Sequence, residues 1–341
     1  MKRILLAILV LRACSPSFAD DGAIAGVGGA VQLLAEHSTV RMVREKVDVQ
    51  LSTGSARVRC EFVFENEGKA AAVKMGFPEE AWGDAAYAQK SAFRGFRSWV
   101  DGTPIRTTVV SASPSDRREY RAWHVKNVRF AAGQTRTVVN EYGSGLGGVS
   151  DGSSFFNYVL RTGASWKGKI GEAVIEVDVS RIPPYYTVTA DPDGYQERGH
   201  KLIWVLKDFD PAEDISVSLM PRYPTLNGTP TWGGAWSPYS IVDGVALGSP
   251  RFLQEVGGSV GYERESRVCT ISYGSQILKL TVGSPNAVLN GAQAITLPRA
   301  PVIDRYSRLT VPIGAVVKAL GGSASYDSKN HQVHLHLKPK K

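Results

Sequence analysis

The chain ends on a histidine-rich stretch, His331-Gln332-Val333-His334-Leu335-His336-Leu337. Half of its six histidines lie there. His334 and His336 are two residues apart, so a strand puts both imidazoles on one face. Copper or zinc can use that geometry, with His331 as a third ligand from the preceding turn. The competing reading is a solvated strand face that carries histidines. Sequence places no cysteine or carboxylate beside them, so the solvated face is the expectation and weak metal affinity the alternative. No cofactor is expected.

Other chemistry finds less support. Hydrolysis needs a nucleophile within reach of a base, or two facing carboxylates. Ser144 lies among glycines but not on a strand-to-helix elbow. His37, His124 and His200 stand singly, His124 in a strand where it packs or faces solvent. Glu79-Glu80 falls in a loop, and Glu65 and Glu67 at a strand end. The run GSGLGG at 143–148 has dinucleotide-loop letters, yet no helical period follows, so a flexible hairpin loop is expected. No catalytic constellation emerges. Trp232, Trp236 and Tyr239 gather in a Pro/Gly-rich segment. Exposed, such rings stack on sugars or on a partner's proline surface; buried, they wedge domains together. The wedge is the expectation, ligand contact the alternative.

The N-terminus reads as an export signal. Lys2 and Arg3 precede the apolar run from Ile4 to Leu11, and Ser17-Phe18-Ala19 supplies small residues at a cleavage point. That run is far short of the ~18 apolar residues a membrane span needs. Leu11-Arg12-Ala13-Cys14 has the outline of a lipidation box, spoiled by Arg12, so soluble export is favoured over an anchor at Cys14. Cleavage removes Lys2, Arg3 and Arg12 and no acid, taking the formal charge from +8 to +5. Outside a cell, a mildly basic protein meets wall polymers and lipid headgroups rather than nucleic acid. The cluster Lys338-Pro339-Lys340-Lys341 reads as a solvated tail.

From about residue 40 to 222 the pattern is strand after strand with tight turns and little helix, which predicts a β-sandwich over 20–222. Val43, Glu45, Val47, Val49 and Leu51 share one face, Glu45 being the polar exception. Asp101-Gly102 marks a hairpin. The stretches around Gly133 and through 201–220 read as two further strand pairs, and a partly helical insertion is expected between Glu79 and Lys90. Cys60 shares a face with Val58, Phe62 and Phe64, and Cys269 with Ile271 and Tyr273, so both thiols read as buried core residues in different domains. Residues 223–238 lack periodicity and read as the linker.

Beyond it, an internal repeat has a constant offset of 64 residues. Leu247 matches Val311, Phe252-Leu253 matches Val316-Val317, and Gly257-Gly258 matches Gly321-Gly322. Cys269, Ile271 and Tyr273 match Val333, Leu335 and Leu337, which puts His334 and His336 on the outward face. Each copy reads as strand, helix, Gly-Gly stop and hairpin, with Pro250 and Pro312 at the helix starts. A small α+β domain over 239–341 with pseudo-twofold organisation is predicted.

The stretches LTVPIGAVVKALGGSASYD and TVGSPNAVLNG resemble the copper amine oxidase N-terminal-like, or stalk, domain. The stretches DGAIAGVGGAVQLL, VREKVDVQL and LRTGASWKGKIGEAVIEV resemble an exported bacterial β-domain of unknown function found beside stalk domains. The first resemblance implies a surface-associated module without oxidase activity. Oxidases of that family make their quinone in an Asn-Tyr-acid motif, whereas Asn157-Tyr158 is followed here by Val159.

Three functions follow as expectations. The first is a non-catalytic, exported cell-envelope protein binding an anionic or glycan wall polymer, or an envelope protein. The second is an extracellular metal-binding protein or metalloenzyme using His331, His334 and His336. The third is a protein–protein adaptor docking through exposed strand edges.

Overall fold

The computed structural model describes residues 27–29, 32–33, 39–80, 93–111, 120–148, 152–231, 239–304 and 307–338. The signal, Cys14, the insertion expected after Glu80, Trp232, Trp236 and the terminal lysines after Lys338 lie outside the described residues.

Alternation of apolar and polar residues builds two large sheets. One runs Gln196–Arg198, Lys201–Phe209, Ile170–Asp178, Val40–Ser52, Ser55–Asn66, Thr135–Gly145, Arg94–Val100, Thr103–Ile105 in spatial order. The other runs Tyr186–Asp191, Ile215–Pro221, Ser154–Val159, Val27–Gly29, Ala71–Glu80, Tyr120–Phe130, Thr108–Ser111. Their apolar faces close on one core that holds Phe62, Phe64, Phe77, Phe156, Ile175 and Trp204. This is the β-sandwich that the alternation predicts. Asp101 and Gly102 both adopt positive φ, at 48° and 76°, and turn the chain between paired Val100 and Thr103, as a two-residue hairpin requires.

Three expectations change. A register shift between Met42 and Arg44 turns Val43 off the inner face, so Val40 and Met42 point inward before the bulge and Glu45, Val47, Val49 and Leu51 after it. The stretch around Gly133 is not a hairpin: Tyr120–Phe130 pairs in one sheet and Thr135–Gly145 in the other. The same holds for Lys201–Phe209 and Ile215–Pro221. In both cases the chain arches over the sandwich edge, and two inward-pointing stripes face each other instead of lying side by side. The glycines at 143–145 belong to strand Thr135–Gly145 rather than a loop, and Ser144 is buried there.

The second domain reproduces its repeat in three dimensions. Val245–Gly248, Ser259–Glu263 and Val268–Tyr273 recur, 64 residues on, as Leu309–Pro312, Ser323–Asp327 and Gln332–His336. The two first strands pair with each other through Leu247 and Pro312, making the pseudo-twofold sheet. The helices differ: Pro250–Val256 is a 3-10 helix, whereas Ile313–Ala319 is an α-helix with Pro312 at its N-cap. Both copies stop on a glycine of positive φ, Gly257 at 79° and Gly321 at 83°. The second glycine of each pair has another cause. A Cβ on Gly258 would lie 2.8 Å from the Leu253 carbonyl oxygen, and one on Gly322 2.2 Å from that of His336. Backbone cannot yield as a flexible side chain can, so Gly322→Ala is expected to cost about 1–3 kcal/mol. A chemical-denaturation midpoint equal to wild type would refute the close approach.

Residues 223–231 do not form a free linker. Thr225–Leu226 joins the edge of the last strand in parallel and turns at Asn227-Gly228 into Thr229–Pro230. Asn227 donates its N–H to the Leu335 carbonyl, and its side chain accepts the N–H of Leu337. Two-residue strands carry no readable period, which hid them in the sequence.

Candidate functional site

A cleft of about 900 Å³ opens where the two domains meet. The repeat builds most of it. Helix Ile313–Ala319 buries Ile313, Val316 and Val317 in the core, so the helical period turns Gly314, Ala315 and Lys318 outward to form one wall. Strand Ser323–Asp327 contributes Ala324 and Tyr326, and the first copy contributes Val245 and Ala246. The sandwich contributes Pro184 and Tyr185. Small residues and flat rings together line it. Such a surface accepts a planar or ring-shaped group with little loss of side-chain entropy.

Polar groups are few among the lining residues. The Tyr326 hydroxyl lies 3.0 Å from His331 Nδ1, and Lys318 supplies a cation at the helix C-terminus. Burial leads the causes that raise Tyr185 above the usual phenol range. The Tyr185 hydroxyl therefore stays a neutral donor at ordinary pH.

Tyr239 stands behind this cleft and does not line it. Its ring is 1% exposed and packs 5.6 Å from that of Tyr185, and its hydroxyl donates to the His331 carbonyl. Burial pushes its pKa up to about 12. The Tyr239 ring thus packs between Tyr185 of the sandwich and the core of the second domain. Further bonds close the seam. Arg222 donates to the Asn330 carbonyl at 2.8 Å, and Gln332 to that of Tyr223 at 2.6 Å.

The three C-terminal histidines are not brought together. His331 takes a positive φ of 52° and turns its ring to Tyr326 in the cleft. His334 faces outward from the core, yet it meets Thr225 Oγ1 at 2.8 Å rather than open solvent. His336 is exposed. Among the described residues no group of three His, Cys, Asp or Glu side chains could hold a metal ion.

The sequence reading missed a set of polar groups inside the sandwich. Glu79 is in a strand, not a loop, and fully buried; its Oε2 lies 3.1 Å from His124 Nε2. The His124 ring stacks on Phe96 at 4.0 Å. Glu45, also fully buried, accepts from the Tyr158 hydroxyl at 2.7 Å across the sandwich. Desolvation raises its pKa to about 7. Lys126 reaches Ser98 and Asn140 of the opposite sheet. Each is a polar letter at an inward position of an alternating strand, which was the signal available. Cys60 and Cys269 are free, buried thiols, as their strand faces imply.

The pseudo-twofold repeat, with its paired first strands and glycine stops, bears on the kinship of the C-terminal part. Residues 237–335 match the family model of the copper amine oxidase N-terminal domain. The residues matched to that model supply nearly every wall of the cleft. Residues 19–120 match a Domain of unknown function (DUF4424). No curated protein matches the chain. A Legionella pneumophila protein named as a candidate nutrient binding protein shares the fold at a TM-score of 0.51 and 21% identity, over 59% of this chain and 73% of that one. An M1 zinc metallopeptidase from Deinococcus radiodurans is similar at 0.30 and 8% identity, over 63% and 47% of the two chains. At that score the likeness says nothing about chemistry. No helix among the described residues is long and apolar enough to cross a membrane.

Proposed function

We propose that this chain is a non-catalytic, exported protein of the bacterial cell envelope that holds a segment of anionic wall glycan in the cleft between its stalk domain and its sandwich. The observation that carries this reading is the composition of the cleft: Tyr326, Tyr185 and prolines for sugar faces, with Lys318 and His331 for an anionic substituent. The export signal and the +5 charge left after cleavage support it. So does the name of the Legionella pneumophila relative, which speaks of ligand binding.

The test is co-sedimentation with purified bacterial walls. Wild type pellets at low salt and is released at high salt, because an exposed cation such as Lys318 is screened over ~10 Å at 0.1 M salt. Ala315→Trp fills the cleft, and Tyr326→Ala removes a stacking face. Each is expected to weaken binding about tenfold or more, the equivalent of roughly 1.4 kcal/mol. Walls bound equally by wild type and Ala315→Trp would place the contact elsewhere.

One observation favours the adaptor reading as second. Strand Thr108–Ser111, at the edge of its sheet, exposes Val109 at 53% and Val110 at 44%. An unpaired apolar edge is a template for an added strand. Crosslinking to a specific envelope protein, lost on Val109→Lys, would support it over wall binding.

A further inference from the structure

The arch around Gly133 places two consecutive strands in opposite sheets, and their inward faces meet at Lys126 and Asn140. Lys126 is 2% exposed, and Asn140 is fully buried. Lys126 Nζ lies 2.7 Å from Asn140 Oδ1 and 2.9 Å from Ser98 Oγ. Ser98 in turn donates its hydroxyl proton to Asn140 Oδ1 at 2.8 Å. Two groups from two other strands thus converge on the Asn140 side-chain carbonyl. Among the described residues no carboxylate pairs with Lys126, and burial lowers its pKa to about 7, so the neutral amine is well populated at neutral pH. Asn140 Nδ2 is buried and has no hydrogen-bond partner among the described residues.

A hydrogen-bonded polar staple explains the contacts to Oδ1. It leaves the Nδ2 donor unsatisfied in a dry interior, which native proteins avoid. It also keeps in the core a long amine whose charged form has no counter-ion. Both difficulties vanish if the amide nitrogen departs and the amine takes its place. We propose that Lys126 and Asn140 are joined by an isopeptide bond across the sandwich.

The residues present account for the reaction. The lone pair of neutral Lys126 Nζ attacks Asn140 Cγ, forming the new C–N bond. The Ser98 hydroxyl, already bonded to Oδ1, stabilises the negative charge that develops there. Ser98 Oγ takes one proton from Nζ while passing its own to Oδ1, and that proton moves on to Nδ2 as the carbonyl re-forms. The Cγ–Nδ2 bond breaks and the nitrogen leaves as ammonia. The product is a secondary amide. No oxidant, reductant or water is consumed, and one ammonia is lost per cross-link. A neutral, desolvated amine held beside a polarised carbonyl is the arrangement acyl transfer requires.

The proposal is tested by mass spectrometry of the purified full chain, denatured and digested with trypsin. Expected is a branched peptide joining the Lys126 and Asn140 segments, lighter than their sum by one ammonia, with no cleavage after Lys126. Asn140→Asp should reach the same cross-linked mass by losing water instead of ammonia. Lys126→Arg should show linear peptides of unaltered sequence mass. Should either replacement fail to fold, the wild-type digest still decides: linear peptides with a free Lys126 and intact Asn140 overturn the proposal.

Discussion

Between pH 5 and pH 7 the wild-type protein is expected to lose about 2 kcal/mol of folding stability, and Glu45→Gln to remove most of that loss. Glu45 is fully buried, and its pKa is raised from 4.5 to about 7, chiefly by desolvation; the Tyr158 hydroxyl offsets this in part. The folded protein therefore holds a proton that the unfolded chain has released. A carboxyl of raised pKa contributes stability that is complete below pH 4.5 and is lost as pH rises through 7. Glu45 leads this window, and Glu255, raised by partial burial, contributes in the same direction. The carboxylates of Glu67, Glu176, Asp178 and Asp327 are held below their usual range by hydrogen bonds, so their contribution is gained below about pH 5 and flat above it. A free Lys126 amine, lowered to about 7, would add stability only as pH rises above 7. Gln keeps an acceptor for Tyr158 and cannot ionise. Urea midpoints of wild type and variant at pH 5, 6 and 7 give the comparison. Parallel curves would mean that Glu45 does not carry the pH dependence.

Tyr239→Ala should cost the stalk domain about 3–5 kcal/mol, the range for truncating a large buried aromatic. The ring fills the space between Tyr185 of the sandwich and the stalk core, and its hydroxyl fixes the turn at His331. Tyr239→Phe keeps the packing and gives up one hydrogen bond, for about 0.5–1.5 kcal/mol. Calorimetry separates the two effects. Tyr239→Ala is expected to split off an earlier stalk transition from that of the sandwich, whereas Tyr239→Phe shifts the stalk slightly. Loosening His331 also spoils one end of the cleft, so wall binding falls in Tyr239→Ala even below its melting temperature. A single transition at the wild-type temperature would show that Tyr239 does not wedge the domains.

Both predictions rest on residues that the sequence marked without explaining. Glu45 broke the apolar face of its strand, and alternation alone could not say whether it turned out or stayed in. The bulge at Val43 keeps it in. Lys126 read as one polar letter in a strand beside an apparent hairpin. Only the arch over the sandwich edge sets it against Asn140. Tyr239 lay in a segment without period, where exposure and burial look alike.

The sequence by itself determined the strands, the 64-residue repeat, the glycine stops and the inward faces of Cys60 and Cys269. Each depends on side-chain period or backbone sterics within a few residues of chain. Tertiary structure decided which strands share a sheet, which polar groups meet inside the sandwich, and where the cleft opens. It also dispersed the three C-terminal histidines and built Thr225–Leu226 onto the last strand. These outcomes turn on contacts between segments as far apart as Gly28 and Tyr158, and a local pattern records which face a residue takes but not what it meets there.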